Sequence, residues 1–272
     1  RTAGKLVLLS TEAELATARA TTELKQKNGC SAVVLSRDEA IAVEPALADL
    51  AEDFVGAVYS KSDEVADSQR FTTGLKDWLE KEGAATFRLS STAHELVVHD
   101  GRTRGVILDE DQVEADAVVV CLGAWSRDIL RKAGIDPHIV PARGYSITLP
   151  PGPSAPEVSV TALKHKMVYS RINGFVRVAG FVDFMGFDTS ADDERAHTLR
   201  DIAARFAPQA ADYDSDDAQV WGGFRPMTPS GQPQVGPTAI PGLFVNVGHG
   251  MLGWTLACAT AYDAAQAVAN VH

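Results

Sequence analysis

Leu243-Phe-Val-Asn-Val-Gly248-His-Gly250-Met-Leu-Gly253-Trp-Thr-Leu-Ala-Cys-Ala-Thr-Ala-Tyr-Asp-Ala-Ala-Gln-Ala-Val-Ala269 is the stretch on which the fold turns. A β-type apolar run stops at a glycine cluster, and an alanine-rich run with strong helix propensity follows. Glycines let the backbone come close to a ligand, and the first amides of a helix have no partner within it. A strand, a glycine turn and a helix start together form a site for negative charge. The glycines spell G-x-G-x-x-G, the spacing of a dinucleotide fingerprint. That fingerprint also needs a second parallel strand after the helix and an acidic residue roughly 20 positions on. The sequence reaches only His272, so the usual pyrophosphate arrangement is not expected here. The turn either holds a cofactor in another way or is a tight strand-to-helix turn with close packing.

Working outward, Trp221-Gly-Gly-Phe-Arg225-Pro-Met-Thr-Pro229 precedes that strand. One arginine stands inside an apolar stretch rich in proline and glycine. A buried arginine is costly unless paired. If it is buried, Arg225 therefore needs an anion, either a structural carboxylate or the carboxylate of a ligand. A second apolar run, Ala117 to Leu122, ends at Gly123-Ala-Trp-Ser126 and reads as a buried parallel strand turning into a helix. Ligands in open α/β sheets collect at the carboxyl ends of such strands.

The remaining segments set the architecture. Lys5–Leu9 reads as a strand, and Ser10-Thr-Glu-Ala-Glu14 as the start of a helix running to Lys27. Ser36-Arg-Asp-Glu39 caps a short helix. Asp67-Ser68 caps another, with Phe71, Leu75, Trp78 and Leu79 on one face. From Thr86 the period changes to two. Thr86–Leu89 is expected as a strand, and Asp100-Gly101 and Asn173-Gly174 are hairpin turns. Asp192–Phe206 reads as a helix with an acidic start. The acidic loop Asp212–Asp217 lacks the glycine and closing glutamate of an EF-hand. No metal site is expected.

Composition bounds the function. The 272 residues are 45% hydrophobic and 22% charged, as in a globular protein, and the net charge of −11 argues against nucleic acid. Cys30, Cys121 and Cys258 are far apart; the last two lie in apolar runs and are expected in the core, in a reducing, cytoplasmic setting. No signal peptide or membrane-spanning run is visible. The start at Arg1 rather than Met is expected to mean that a natural amino terminus precedes it.

Four motifs carry a likeness: Val118-Val-Val-Cys-Leu-Gly-Ala-Trp-Ser126, Pro141-Ala-Arg-Gly-Tyr145, Gly223-Phe-Arg-Pro-Met-Thr-Pro229 and Asn246-Val-Gly-His-Gly-Met-Leu-Gly-Trp254. In order and separation the chain resembles the glutathione-reductase-like FAD oxidoreductases of the D-amino acid oxidase type, and among them the small subunits of D-amino acid dehydrogenases. The resemblance implies a mixed α/β fold: a glutathione-reductase-like FAD-binding half, incomplete, interleaved with an antiparallel-sheet substrate domain. Residues 66–124 and 223–272 would form the FAD-binding half, and 1–65 and 125–222 the substrate domain. FAD is the implied cofactor. Gly248, His249, Gly250, Met251, Leu252 and Gly253 would lie under the pyrimidine edge of the flavin, and Gly123 and Ala124 would approach the ring from the sheet. Arg225 would grip the substrate carboxylate. Tyr145 and Tyr169 would line the substrate pocket, although a core or surface strand tyrosine accounts for either taken alone.

The family also opens with a strand, a G-x-G-x-x-G turn and a helix that hold the FAD pyrophosphate. No segment from Arg1 to Val140 supplies them, so the resemblance implies a missing nucleotide-binding segment. The expected activity is oxidation of an amino acid, of D configuration, by hydride transfer from Cα to flavin N5, giving a 2-oxo acid and ammonia. Electrons would pass to a quinone or another respiratory-chain component, with peripheral attachment at the inner face of the membrane. No nucleophilic side chain is required. Two alternatives stand beside it: a truncated or partner-dependent chain, silent alone, and a flavin oxidoreductase of glycine or a secondary amine such as sarcosine or proline.

Overall fold

The computed structural model describes residues 1–270. Its elements run, in chain order, β1 (Lys5–Leu9), α1 (Glu12–Lys27), β2 (Val33–Ser36), α2 (Arg37–Val43), β3 (Gly56–Ser60) and α3 (Ser68–Lys81). Then follow β4 (Ala93–His99), β5 (Arg102–Leu108), β6 (Asp111–Glu114), β7 (Val118–Val120), α4 (Ser126–Lys132), β8 (Val140–Leu149) and β9 (Ser159–Ala162). The chain closes with β10 (Met167–Ile172), β11 (Phe175–Asp183), α5 (Asp192–Phe206), β12 (Gln219–Met227), β13 (Gln234–Pro237), β14 (Leu243–Val247) and α6 (Gly253–Ala269).

Local chemistry explains many of these bounds. Thr11 caps α1 and Ser36 caps α2, each with a reciprocal glutamate three residues on, Glu14 and Glu39. Asp67 accepts the amides of Gln69 and Arg70 at the start of α3. Asp100-Gly101 and Asn173-Gly174 both hold two consecutive positive φ values, as a two-residue hairpin turn of type I′ requires.

The chain divides into two compact units that interleave along the sequence. The first is Arg1–Thr72, Gly144–Val182 and Thr189–Gly223; the second is Thr73–Arg143, Asp183–Asp188 and the chain from Phe224 onward. These bounds differ from the expected ones chiefly at 125–143. That segment joins the second unit because Ile129, Leu130 and Ile139 pack with Leu96, Leu243 and Val247 in one core.

The first unit is built on an eight-stranded sheet in the order β12-β8-β11-β10-β9-β1-β3-β2. It is mixed rather than purely antiparallel, since β1 pairs parallel with β9 (Leu6↔Val160) and antiparallel with β3. Its core gathers Leu6, Leu149, Met167 and Val178 with Leu199 and Ala203 of α5. Glu44 is buried in this unit and accepts the amides of Glu157 and Val158, both at 2.8 Å, and of Ala46 at 3.2 Å. A Glu44→Ala variant strands those three donors. It should lose about 3 kcal/mol of stability in urea unfolding, with Glu44→Gln losing less.

The second unit carries two three-stranded sheets, β13-β14-β7 and β4-β5-β6. Three expectations need correction. Thr86–Leu89 is irregular, with Leu89 exposed. No residue of α3 is buried, so its apolar face of Phe71, Leu75 and Trp78 is an exposed one. Cys121 and Cys258 are also exposed, because β7 is the edge strand of its sheet and Cys258 lies on the solvent side of α6. Among the described residues no helix is long and apolar enough to cross a membrane.

Candidate functional site

The only parallel pair among the described strands of the second unit is β7 with β14, registered Leu243↔Val118 and Val245↔Val120. Counting on from that register brings Gly123 level with Gly248. Both lie in the left-handed region, at φ +57° and +79°, which costs a side-chain-bearing residue about 1 kcal/mol or more. A helical turn follows each: Gly123–Trp125 runs into α4, and Gly253 opens α6. Two strand–glycine–helix junctions therefore stand side by side at the carboxyl ends of parallel strands.

The two glycines are required for different reasons. A Cβ on Gly248 would come within 2.7 Å of Thr228 Cγ2, so close packing demands glycine there. A Cβ on Gly123 would meet nothing within 4 Å. Beside Gly123 the backbone faces open space that a flat ligand could fill, with Ala124 buried just behind it. At the other junction, Leu252 holds the cap position of α6 and supplies no side-chain acceptor. The Leu252 amide donates to the His249 carbonyl at 2.9 Å, which closes the turn. No side chain caps the start of α6, and a helix start of this kind favours negative charge. Met251 and Leu252 are exposed around it, and Gly250 and Gly253 are partly so.

His249 points back onto α6. Its Nε2 lies 3.0 Å from Thr260 Oγ1, and the buried Thr260 hydroxyl donates to the Leu256 carbonyl at 3.1 Å. With that hydrogen committed, Nε2–H of the imidazole is the donor to Thr260. Burial lowers the His249 pKa from 6.5, which favours the neutral ring this bond needs. The unfolded chain then takes up the proton first as pH falls. This contribution to stability is present above the unfolded pKa and is lost as pH drops below it. Urea midpoints at about pH 7.5 and about pH 5.5 should differ less in His249→Asn than in the parent chain.

Arg225 sits on β12 between Phe224 and Pro226. The Pro226 carbonyl accepts the Gly250 amide at 3.0 Å, so the arginine's strand is tied directly to the glycine turn. Its Nε is buried without a partner, and among the described residues its guanidinium pairs with no carboxylate. Burial depresses its pKa, yet an arginine stays charged. The residue as a whole is half-buried, and taking a guanidinium even partly out of water without a partner costs stability. The structural-carboxylate account of Arg225 has no carboxylate to support it.

Tyr145 and Tyr169 lie in the core of the first unit, 2% and 1% exposed. Tyr169 donates its hydroxyl to the Ala203 carbonyl at 3.1 Å, and burial pushes its pKa far up. These surroundings fit the core account of both tyrosines, and neither is used below. Sequence reasoning missed Thr260, because no spacing rule links a turn histidine to a helix threonine. It also missed two buried, unpartnered oxygens near the junctions, Ser126 Oγ and Asn246 Oδ1. Both residues stood inside quoted motifs, but burial cannot be read from a motif.

Known structures share this architecture. Glycine oxidase from Geobacillus kaustophilus superposes with a TM-score of 0.84 at 23% identity, covering 99% of this chain and 71% of that one. L-proline dehydrogenase from P. horikoshii gives 0.82 at 19%, covering 98% and 72%. The mixed α/β fold expected from the sequence is thus the fold of this class. The chain belongs to the FAD dependent oxidoreductase family, whose model matches residues 1–267. It is similar to D-amino acid dehydrogenase 2 of Ralstonia nicotianae, 42% identical over 266 residues, and to the D-amino acid dehydrogenase of Rhizobium rhizogenes, 36% identical over 264. Those alignments take in 95% and 96% of this chain but 63% and 62% of the relatives. The chain therefore spans less than two thirds of their length.

Proposed function

We propose that this chain serves FAD-dependent oxidative deamination of D-amino acids. One observation carries the reading: a half-buried guanidinium, its Nε buried and unpartnered and without a counter-ion among the described residues, on a strand hydrogen-bonded to a glycine turn at an uncapped helix start. Membership of the FAD dependent oxidoreductase family and likeness to chains named D-amino acid dehydrogenase support it. The residues also fit the cofactor: open space beside Gly123 suits a flat ring, and the first-turn amides of α6 suit its electron-rich edge.

When bound, FAD supplies the two-electron acceptor for a hydride from the substrate Cα. Everything else falls to the chain. Arg225 donates two parallel N–H bonds to the substrate carboxylate and so fixes where Cα sits. Gly123 and Ala124 would hold the ring from the sheet side, and Gly248, His249, Gly250, Met251, Leu252 and Gly253 from the helix side. Orientation of this kind contributes up to roughly 7–11 kcal/mol in the best intramolecular cases. The amine becomes an imino acid, and water hydrolyses it to the 2-oxo acid and ammonia. No protein nucleophile takes part. An external acceptor such as a quinone would take up the two electrons.

The test is to saturate the protein with FAD and assay D- and L-amino acids, glycine, sarcosine and proline with an artificial electron acceptor. Turnover confined to D-amino acids supports the proposal. Preference for glycine or a secondary amine would transfer the site to that substrate class, and no turnover with any of them would leave the chain inactive as it stands.

A further inference from the structure

Arg225 has no ionic anchor, so something else must aim it. Phe224 and Pro226, its two neighbours on β12, are each held by a different glycine junction. Pro226 is bound through its carbonyl to Gly250. Phe224 packs edge-on against Trp125, which directly follows Gly123 and Ala124, with ring centroids 5.8 Å apart at 89°. Phe187, from the Asp183–Asp188 segment, closes the cluster, stacked on Trp125 at 5.4 Å and 19° and edge-on to Phe224 at 5.1 Å. The Arg143 guanidinium carbon lies 4.4 Å from the centre of the Phe224 ring. Aromatic pairs and cations over rings in such geometry add specificity beyond burial alone.

Successive residues of a strand point to opposite faces. The aromatic cluster therefore holds β12 from the face opposite the Arg225 side chain and leaves that side chain clear for an anion. We propose that Phe224, clamped by Trp125, Phe187 and Arg143, is a positioning residue that sets Arg225 relative to the Gly123 junction. The inference rests on the carboxylate role given to Arg225 above. It adds that the affinity of that site depends on a ring which touches neither carboxylate nor cofactor.

Benzoate is a suitable probe, since it offers a carboxylate but no α-hydrogen to lose. Its binding to the FAD-saturated protein is measured by calorimetry, with thermal midpoints alongside. Phe224→Leu should weaken benzoate binding about tenfold while the midpoint moves by no more than about 2 °C. Phe224→Tyr, which keeps the ring, should bind as the parent does. In an Arg225→Lys background, Phe224→Leu should cost less than about twofold more, because its effect runs through the arginine. If Phe224→Leu does not fold, Phe187→Leu tests the same clamp with the same expected tenfold loss. Parent-like binding in the leucine variant, or an equal loss in both backgrounds, overturns the positioning role. A parent protein that does not bind benzoate, or an Arg225→Lys variant that binds it unchanged, overturns the carboxylate reading itself and this inference with it.

Discussion

Replacing Arg225 with leucine should lower kcat/KM for a D-amino acid by about 3 kcal/mol, roughly 150-fold, with much of the loss in KM. The same change should leave thermal stability unaltered or raise it. These two expectations come from one observation. The Arg225 Nε is buried and unpartnered, and the guanidinium lacks a counter-ion among the described residues. A buried charge that serves only the fold is paired, and cutting such a pair destabilises by several kcal/mol. A buried charge kept for a ligand costs stability until the ligand arrives. Activity and stability should therefore move in opposite directions in this variant. Measuring both on one preparation distinguishes the two roles, and a midpoint several degrees lower would assign Arg225 to the fold.

The second large effect is expected at Gly123. Gly123→Ala should weaken FAD binding at least tenfold while costing only about 1 kcal/mol in stability. The stability cost is the strain of a Cβ at φ +57°; nothing in the protein lies within 4 Å to clash with it. The binding cost arises because that methyl group would stand in the space assigned to the ring. Gly134→Ala is the matched control, since it too has positive φ, +82°, and open space around its Cβ. It should lose similar stability and no FAD affinity. Equal FAD affinity in the two variants would remove Gly123 from the cofactor site.

How far the sequence could be read depends on what each signal encodes. Helix starts were legible because a cap is local chemistry: Thr11 with Glu14, Ser36 with Glu39, and Asp67 with the amides after it. The two hairpins were legible because an Asp-Gly or Asn-Gly pair tolerates consecutive positive φ values. Burial was less legible. Periodicity says that Phe71, Leu75 and Trp78 share a face of α3, but not what covers that face, and among the described residues nothing buries it. The same limit applies to the run around Cys121, whose apolar character suggested a fully buried strand although β7 lies at a sheet edge.

The candidate site was legible in outline because its backbone requirements are written in glycines. Gly123 and Gly248 could each be found alone, while their adjacency needed the β7–β14 register. Arg225 was conspicuous as a lone cation in an apolar stretch. The Phe224 clamp was not, since Trp125, Phe187 and Phe224 are distant in sequence and belong to no repeat. Tyr145, which closes one resembling motif, and Tyr169, which lies in none of them, followed from the family likeness alone, and the structure gives both a core environment.

The central claim is that the paired glycine junctions and the unpaired guanidinium form one site for a flavin and a carboxylate. Its most direct test is the visible spectrum of the FAD-saturated chain titrated with benzoate, in the parent and in Arg225→Leu. The account predicts a saturable shift of the bound flavin band in the parent and none in the variant at the same concentrations. An identical shift in both proteins, or no bound flavin in the parent, would contradict it.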